Sequence, residues 1–141
     1  MSAAIDAPRI TLEDIRAARQ QLGARLRLTP VQPLSGPAVD AALAAGTRVL
    51  MKLELFQHTG SFKARSALLN ALLLPEAERA RGVCAISAGN HAIAVAFAAS
   101  AVGTSAKVVM KADSNPFRIE QCRRYGAEVE LAADVHAGFR R

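Results

Sequence analysis

The sequence predicts an α/β protein, a three-layer arrangement in which a mostly parallel sheet of about four strands is flanked by helices. Two observations predict it. Short apolar runs alternate with helical patterns, at a spacing of roughly twenty to thirty residues. The runs are continuously apolar rather than alternating, the pattern of strands buried on both faces.

The elements follow in order. Thr11-Leu-Glu-Asp14 has the spacing of a capping box, with Asp in the place of Glu. Apolar residues then recur at helical spacing to Leu22, and Gly23 is a stop signal. Thr29-Pro30 and Gln32-Pro33 force extended chain. A short helix is predicted over 35–45, ending at Gly46. Arg48–Leu53 is the first strand candidate, and the polar turn Gln57–Gly60 follows it. A helix is predicted from Ser61 to Leu74, and Pro75 opens another short one. Val83–Ser87 is an apolar strand, and Ala88-Gly-Asn90 turns into an alanine-rich helix ending near Gly103. Lys107–Met110 is a third strand. Pro116 suits the first turn of a helix running to Tyr125 and stopping at Gly126. Glu128–Leu131 is a fourth strand, and Asp134 is a candidate cap for a last helix. The chain reads as one domain over 1–141, with an N-terminal helical segment over 1–46 and an α/β part over 47–141.

Composition narrows the function. The chain is 51% hydrophobic and 21% charged, too apolar for a disordered segment. Its net charge of +6 is compatible with a nucleic-acid partner, but the arginines are scattered and no basic run alternates with aromatics. No nucleic-acid partner is therefore expected. Cys84 and Cys122 lie far apart and form no paired motif, which fits free thiols in a reducing compartment. His58, His91 and His136 show no metal-ligand spacing, so no metal site is expected. The apolar stretch 92–103 is too short to span a bilayer, and the N-terminus has no signal core. A cytoplasmic protein without a membrane partner is expected.

Two strand-to-helix junctions have unusual composition, and ligands of open α/β sheets bind at such junctions. In Gln57-His-Thr-Gly-Ser-Phe-Lys63, Ser61 is a candidate cap and Lys63 falls in the first helical turn. Helix-dipole charge there disfavours an ammonium, and burial beside Phe62 would act in the same direction. A neutral amine so produced forms a Schiff base with an aldehyde. On its own, a lysine near a helix start is more often an exposed surface residue. In Ser87-Ala-Gly-Asn-His-Ala92, small residues let backbone N–H groups approach an anion at a helix start. A plain strand-to-helix turn capped by Asn90 has the same composition. Neither loop is a nucleotide-binding glycine motif.

Taken together, Thr-Gly-Ser-Phe-Lys-Ala-Arg (59–65) and Ser-Ala-Gly-Asn-His-Ala (87–92) resemble the paired signatures of serine/threonine dehydratases. These belong to the tryptophan synthase β-like, fold type II pyridoxal-phosphate enzymes. Thr29-Pro30, Leu50–Glu54 and Tyr125–Val129 extend the resemblance, which covers about residues 28–131. Ala64 and His91 favour the dehydratase branch over cysteine and threonine synthases, which place Asp and Thr there.

The resemblance implies pyridoxal 5′-phosphate as cofactor and a small amino acid as substrate, L-threonine or L-serine, converted to a 2-oxo acid and ammonia. Lys63 would carry the cofactor and remove the substrate α-proton. Phe62 would pack near the cofactor ring, and Asn90 would hydrogen-bond its phenolic oxygen. Ser87, Ala88, Gly89 and His91 would surround the substrate carboxylate. The sequence departs from the family at Ser66, Ile93-Ala94, Lys111 and Arg118, and the first two of these departures bear on pocket shape. The family's glycine-rich phosphate loop and ring-nitrogen partner have no counterpart here. The chain therefore reads as an N-terminal half, a homo-oligomer when full length and inactive alone. A racemase or another β-eliminating lyase is the alternative within the family, and a fragment that binds no cofactor is the alternative outside it.

Overall fold

The computed structural model describes residues 9–133. Helix α1 (Leu12–Leu22) starts at the expected capping box: the Asp14 N–H donates to Thr11 Oγ1 at 3.2 Å, and the Thr11 N–H donates to Asp14 Oδ2 at 2.8 Å. Strand β1 (Val31–Leu34), helix α2 (Pro37–Ala42) and strand β2 (Val49–Lys52) follow. Helix α3 (Lys63–Leu73) and the short α4 (Glu76–Arg79) come next. The remainder alternates as β3 (Val83–Ile86), α5 (Asn90–Val102), β4 (Ala106–Lys111), α6 (Pro116–Arg124) and β5 (Glu128–Ala132). The final helix expected from Asp134 lies outside the described residues.

The α/β class is as expected, with one strand placed elsewhere. Strands β3, β4 and β5 form a parallel sheet in that order, with Val83 opposite Ala106 and Lys107 opposite Glu128. The strand expected over 48–53 does not join it. As β2 it pairs antiparallel with β1, Val31 opposite Lys52. The hairpin they form straddles residue 46. The extended chain that Pro30 and Pro33 impose thus becomes a strand, with Pro33 opposite Leu50. Two-stranded pairing leaves one side of each strand open, and an edge is where a proline is tolerated. The helix expected over 35–45 is shorter: Pro37 takes its first turn and Gly36 caps it.

Helix α5 is the centre of the packing. Ala92, Ile93, Ala96 and Ala99 meet Val108 and Met110 of β4 and Ile119 and Cys122 of α6. Ala94, Phe97 and Ala98 meet Ala64, Ala67, Leu68 and Ala71 of α3, and Leu22 of α1 closes this second cluster. A helix buried on nearly every side is apolar all round, which explains the lack of a polar stripe over 92–99. Alanines on both α3 and α5 let the backbones approach closely.

The opposite face of the sheet differs from the expectation of burial on both sides. There Lys107 Nζ lies 2.8 Å from Glu130 Oε2 and 3.5 Å from Glu128 Oε1. Cys84, also on that face, is exposed. Burial of that face is partial, since Val109, which shares it with Lys107, is only 3% exposed, whereas α5 and α6 pack against Val108 and Met110 on the other.

Candidate cofactor site

Lys63 is the first residue of α3, as the sequence predicts for an amine in a first turn. Its surroundings differ from expectation. Phe62 is 59% exposed, so it does not bury the amine. Lys63 Nζ instead sits 5.1 Å from the Phe62 ring centroid. Ser61 does not cap the helix. Phe62 occupies the N-cap position in helical conformation, and no side chain accepts from the first turn. Ser61 sits one residue too early and is buried. Its Oγ and that of Thr59 find no hydrogen-bond partner among the described residues. Gly60, between them, has φ +67°, a conformation that favours glycine.

The second loop joins β3 to α5. Ser87 extends the sheet, its N–H donating to Val109 O at 3.0 Å. The Gly89 N–H donates to Ser87 Oγ at 3.2 Å, which tightens the turn. Gly89 is the N-cap, and Asn90 and His91 open the helix with exposed side chains. The first N–H groups of a helix have no intrahelical acceptor, and no side chain caps this one. Arg118 of α6 reaches this loop, NH1 donating to Ala88 O at 3.4 Å.

Packing of α3 along α5 brings the two loops together. Thr59 and Gly60 share a cavity of about 220 Å³ with Ile93, Phe117 and Gln121. Ser66 and Asn70 share a second, of about 260 Å³, with His91 and Val95. The start of α3 therefore lies beside the first turn of α5, and the departures at Ser66 and Ile93 each line a cavity at that junction. Lys63 and Asn90 line neither of these two cavities. His58 supplies a further tie. Its ring stacks on Phe97 of α5 at 5.1 Å, and Tyr125 Oη donates to its carbonyl at 3.0 Å. Burial pushes the His58 imidazole below the ordinary histidine range, and the Arg27 charge adds to the shift.

Sequence reasoning gave no role to a polar network on the other side of the first loop. Glu54 accepts from Arg65 Nε and NH2, both at 2.8 Å, and from Thr29 Oγ1 at 2.5 Å. The bonds from Arg65 hold the Glu54 carboxyl below the usual range; partial burial opposes the shift and Thr29 reinforces it. Gln57, 2% exposed, accepts from the Arg27 N–H at 3.0 Å and donates to the Arg27 carbonyl at 2.9 Å. Thr29, Glu54 and Arg65 lie in segments that carry the resemblance, but partners 11 to 36 positions apart leave no periodic signal.

A family model described as pyridoxal-phosphate dependent enzyme matches residues 13–140. The chain belongs to that family. It is 46% identical to a phenylserine dehydratase of Ralstonia pickettii over 132 residues, covering 92% of this chain and 39% of that protein. It is 39% identical to an L-threonine ammonia-lyase of Thermotoga maritima, covering 89% of this chain and 30% of that protein. The crystal structure of a serine racemase from Dictyostelium discoideum superposes with a TM-score of 0.79 at 30% identity, over 93% of this chain and 42% of that one. The chain thus spans less than half the length of these relatives. Its fold is that of the fold type II pyridoxal-phosphate enzymes, and the family's cofactor is pyridoxal phosphate. The donors present suit it in kind: an amine at Lys63, an amide at Asn90, and two buried hydroxyls without partners at Thr59 and Ser61. Among the described residues no helix is long and apolar enough to cross a membrane, and no cluster of potential metal ligands occurs.

Proposed function

We propose that this segment carries the lysine and the carboxylate-binding turn of a pyridoxal-phosphate-dependent dehydratase for β-hydroxy α-amino acids, L-threonine or L-serine. The observation that carries the reading is the side-by-side placement of two helix starts, one beginning at Lys63 and the other at Asn90. Lys63 Nζ holds the cofactor and then takes the substrate α-proton. Asn90 orients the ring oxygen. The hydroxyl of Ser87 and the N–H groups at the start of α5 receive the substrate carboxylate, whose charge suits a helix N-terminus. Phe62 packs near the ring. The bound cofactor supplies an electron sink for the charge that develops at the α-carbon. The β-hydroxyl leaves as water, and hydrolysis of the released enamine returns that water and gives a 2-oxo acid and ammonia.

The names of two relatives, a phenylserine dehydratase and an L-threonine ammonia-lyase, support this reaction class. The first extends the substrate list to β-aryl serines. The similarity to a serine racemase favours a second reading, in which the α-proton is returned on the opposite face and the hydroxyl stays.

Borohydride reduction of the full-length form with its cofactor, followed by peptide mapping, tests the lysine. The pyridoxyl group is expected on Lys63, and finding it on Lys52 or Lys107 overturns the assignment. The same protein with L-threonine, L-serine and phenylserine should release a 2-oxo acid and ammonia in equal amounts. Inversion at the α-carbon without ammonia selects the racemase reading, and sulfide-dependent cysteine formation overturns both.

A further inference from the structure

The first turn of α3 should be poorly anchored. It holds Lys63 and Arg65 and no acidic residue, so both charges oppose the helix dipole. Its N-cap offers no side-chain acceptor. Such a cap is typically worth about 1 kcal/mol, so the segment lacks the ordinary means of fixing a helix start. Yet this is the turn from which Lys63 must aim.

We propose that Glu54 replaces the missing cap from outside the helix and, through Arg65, positions Lys63. The inference rests on Lys63 being the cofactor lysine. Arg65 grips the Glu54 carboxylate with two parallel bonds of 2.8 Å, the planar fork geometry that restricts orientation as well as distance. Glu54 is itself held. Thr29, 3% exposed, donates to Oε1, and Lys52 donates to the Thr29 carbonyl at 3.1 Å while its Nζ lies 3.9 Å from Oε1. The Glu54 side chain is only 16% exposed, so solvent screens the pair less than a surface one. The fork therefore ties α3 to the β1–β2 hairpin. Lys63 and Arg65 are two positions apart, roughly 200° around a helix of 3.6 residues per turn. A grip on Arg65 thus fixes the roll of the turn and directs Lys63 to the side away from the hairpin. Gln57 locks the loop that leads into the turn, joining the stretch before β1 through Arg27.

Two readouts test this, one of them independent of the cofactor. Amide hydrogen exchange along α3 is measured in the purified chain and in its Glu54→Gln, Arg65→Gln and Arg65→Lys variants, with the charge-swapped pair Glu54→Arg/Arg65→Glu. Loss of a charge-assisted fork should speed exchange over residues 64–67 by roughly tenfold and leave residues 70–73 unchanged. Arg65→Lys keeps the charge without the fork and should rescue in part, and the swapped pair should rescue further. In the full-length form, the yield of pyridoxyl group fixed on Lys63 by borohydride should fall in Glu54→Gln, and its pH dependence should shift. Unchanged exchange in both glutamine variants overturns the proposal, as does an equal rise along the whole helix, which marks a general loss of stability. Normal fixation with an unaltered pH profile in Glu54→Gln also overturns it. If the wild type is labelled elsewhere than Lys63, the proposed function fails while the exchange measurement still decides whether the clamp holds the turn.

Discussion

The part of the chain from α3 to β5 and the part from Leu28 to Phe62 are held together by opposite means. In the first, the buried residues are almost all apolar, and Leu68, Met110, Val108 and Cys122 are fully enclosed. In the second, the buried residues are polar: Thr29, Gln57 and Ser61, at 3%, 2% and 7% exposure. Its large apolar side chains face outward, Leu28 at 86%, Leu50 at 61%, Leu55 at 62% and Phe62 at 59%. The α3–β5 part follows the usual logic of burial. The hairpin part is fastened by hydrogen bonds and the Glu54–Arg65 pair. The difference teaches that the proposed site lies on a seam. Lys63 is at the junction of a closed core and a polar fastening, while the exposed Asn90 starts a helix of the core part alone.

Paired substitutions break this comparison most sharply. Leu68→Ala in the core should destabilise the chain by about 2–5 kcal/mol, the range for truncating an enclosed leucine. Leu50→Ser on the hairpin should change stability by no more than about 0.5 kcal/mol, as for exposed positions generally. Urea unfolding followed by circular dichroism measures both. Leu50→Ser should also reduce self-association in sedimentation, because contiguous exposed apolar surface drives it. Equal losses of stability at the two positions would show that the hairpin is packed as tightly as the core.

The core half was legible in the sequence for a physical reason. Its elements repeat at short range, so periodicity, the stop at Gly103 and Pro116 at a helix start marked them to within a few residues. The two signature loops were legible as composition. The pairing of β2 was not, because so short an apolar run, Val49 to Met51, does not name its partner strand. Nor was the fate of Ser61, since a cap depends on which residue first turns helical, and here Phe62 is already helical. The Glu54–Arg65 fork and the His58–Phe97 stack join residues far apart in sequence. Such contacts exist only once the fold has brought them together.

Gly60 sharpens the comparison at the seam itself. Its φ of +67° costs a side-chain-bearing residue about 1–2 kcal/mol. Space is not the obstacle, since the nearest atom to an added Cβ is the Leu55 carbonyl oxygen at 4.0 Å. Gly60→Ala should therefore lower stability by that strain, and part of the relief should come from movement of the loop entering α3. Calorimetry checks the first effect, and amide exchange at residues 61–65 the second. A stability loss without any change in that loop would place the seam elsewhere.

Acid should separate the two halves by the smallest effect, and in a definite order. The folded state keeps the His58 imidazole below its ordinary value of about 6.5. The unfolded chain then takes up this proton first, so stability falls as pH drops from about 6.5 toward the folded value. Glu54 acts lower. Its folded carboxyl is held below the ordinary value near 4.5, so its contribution is complete above that pH and is lost as pH falls through the folded value. Both groups are partly solvated, so each effect should stay below about 1 kcal/mol. Both fasten the first loop, His58 to Phe97 and Glu54 to Arg65, so acid should loosen residues 54–65 while the α5–sheet core keeps its protection. Residue-resolved amide exchange between pH 7 and pH 4 measures this. His58→Gln should flatten the upper part of the profile and Glu54→Gln the lower part. Loss of protection in α5 and in residues 54–65 at the same pH would mean that the two halves open as one unit, and the contrast in their packing would carry no energetic boundary.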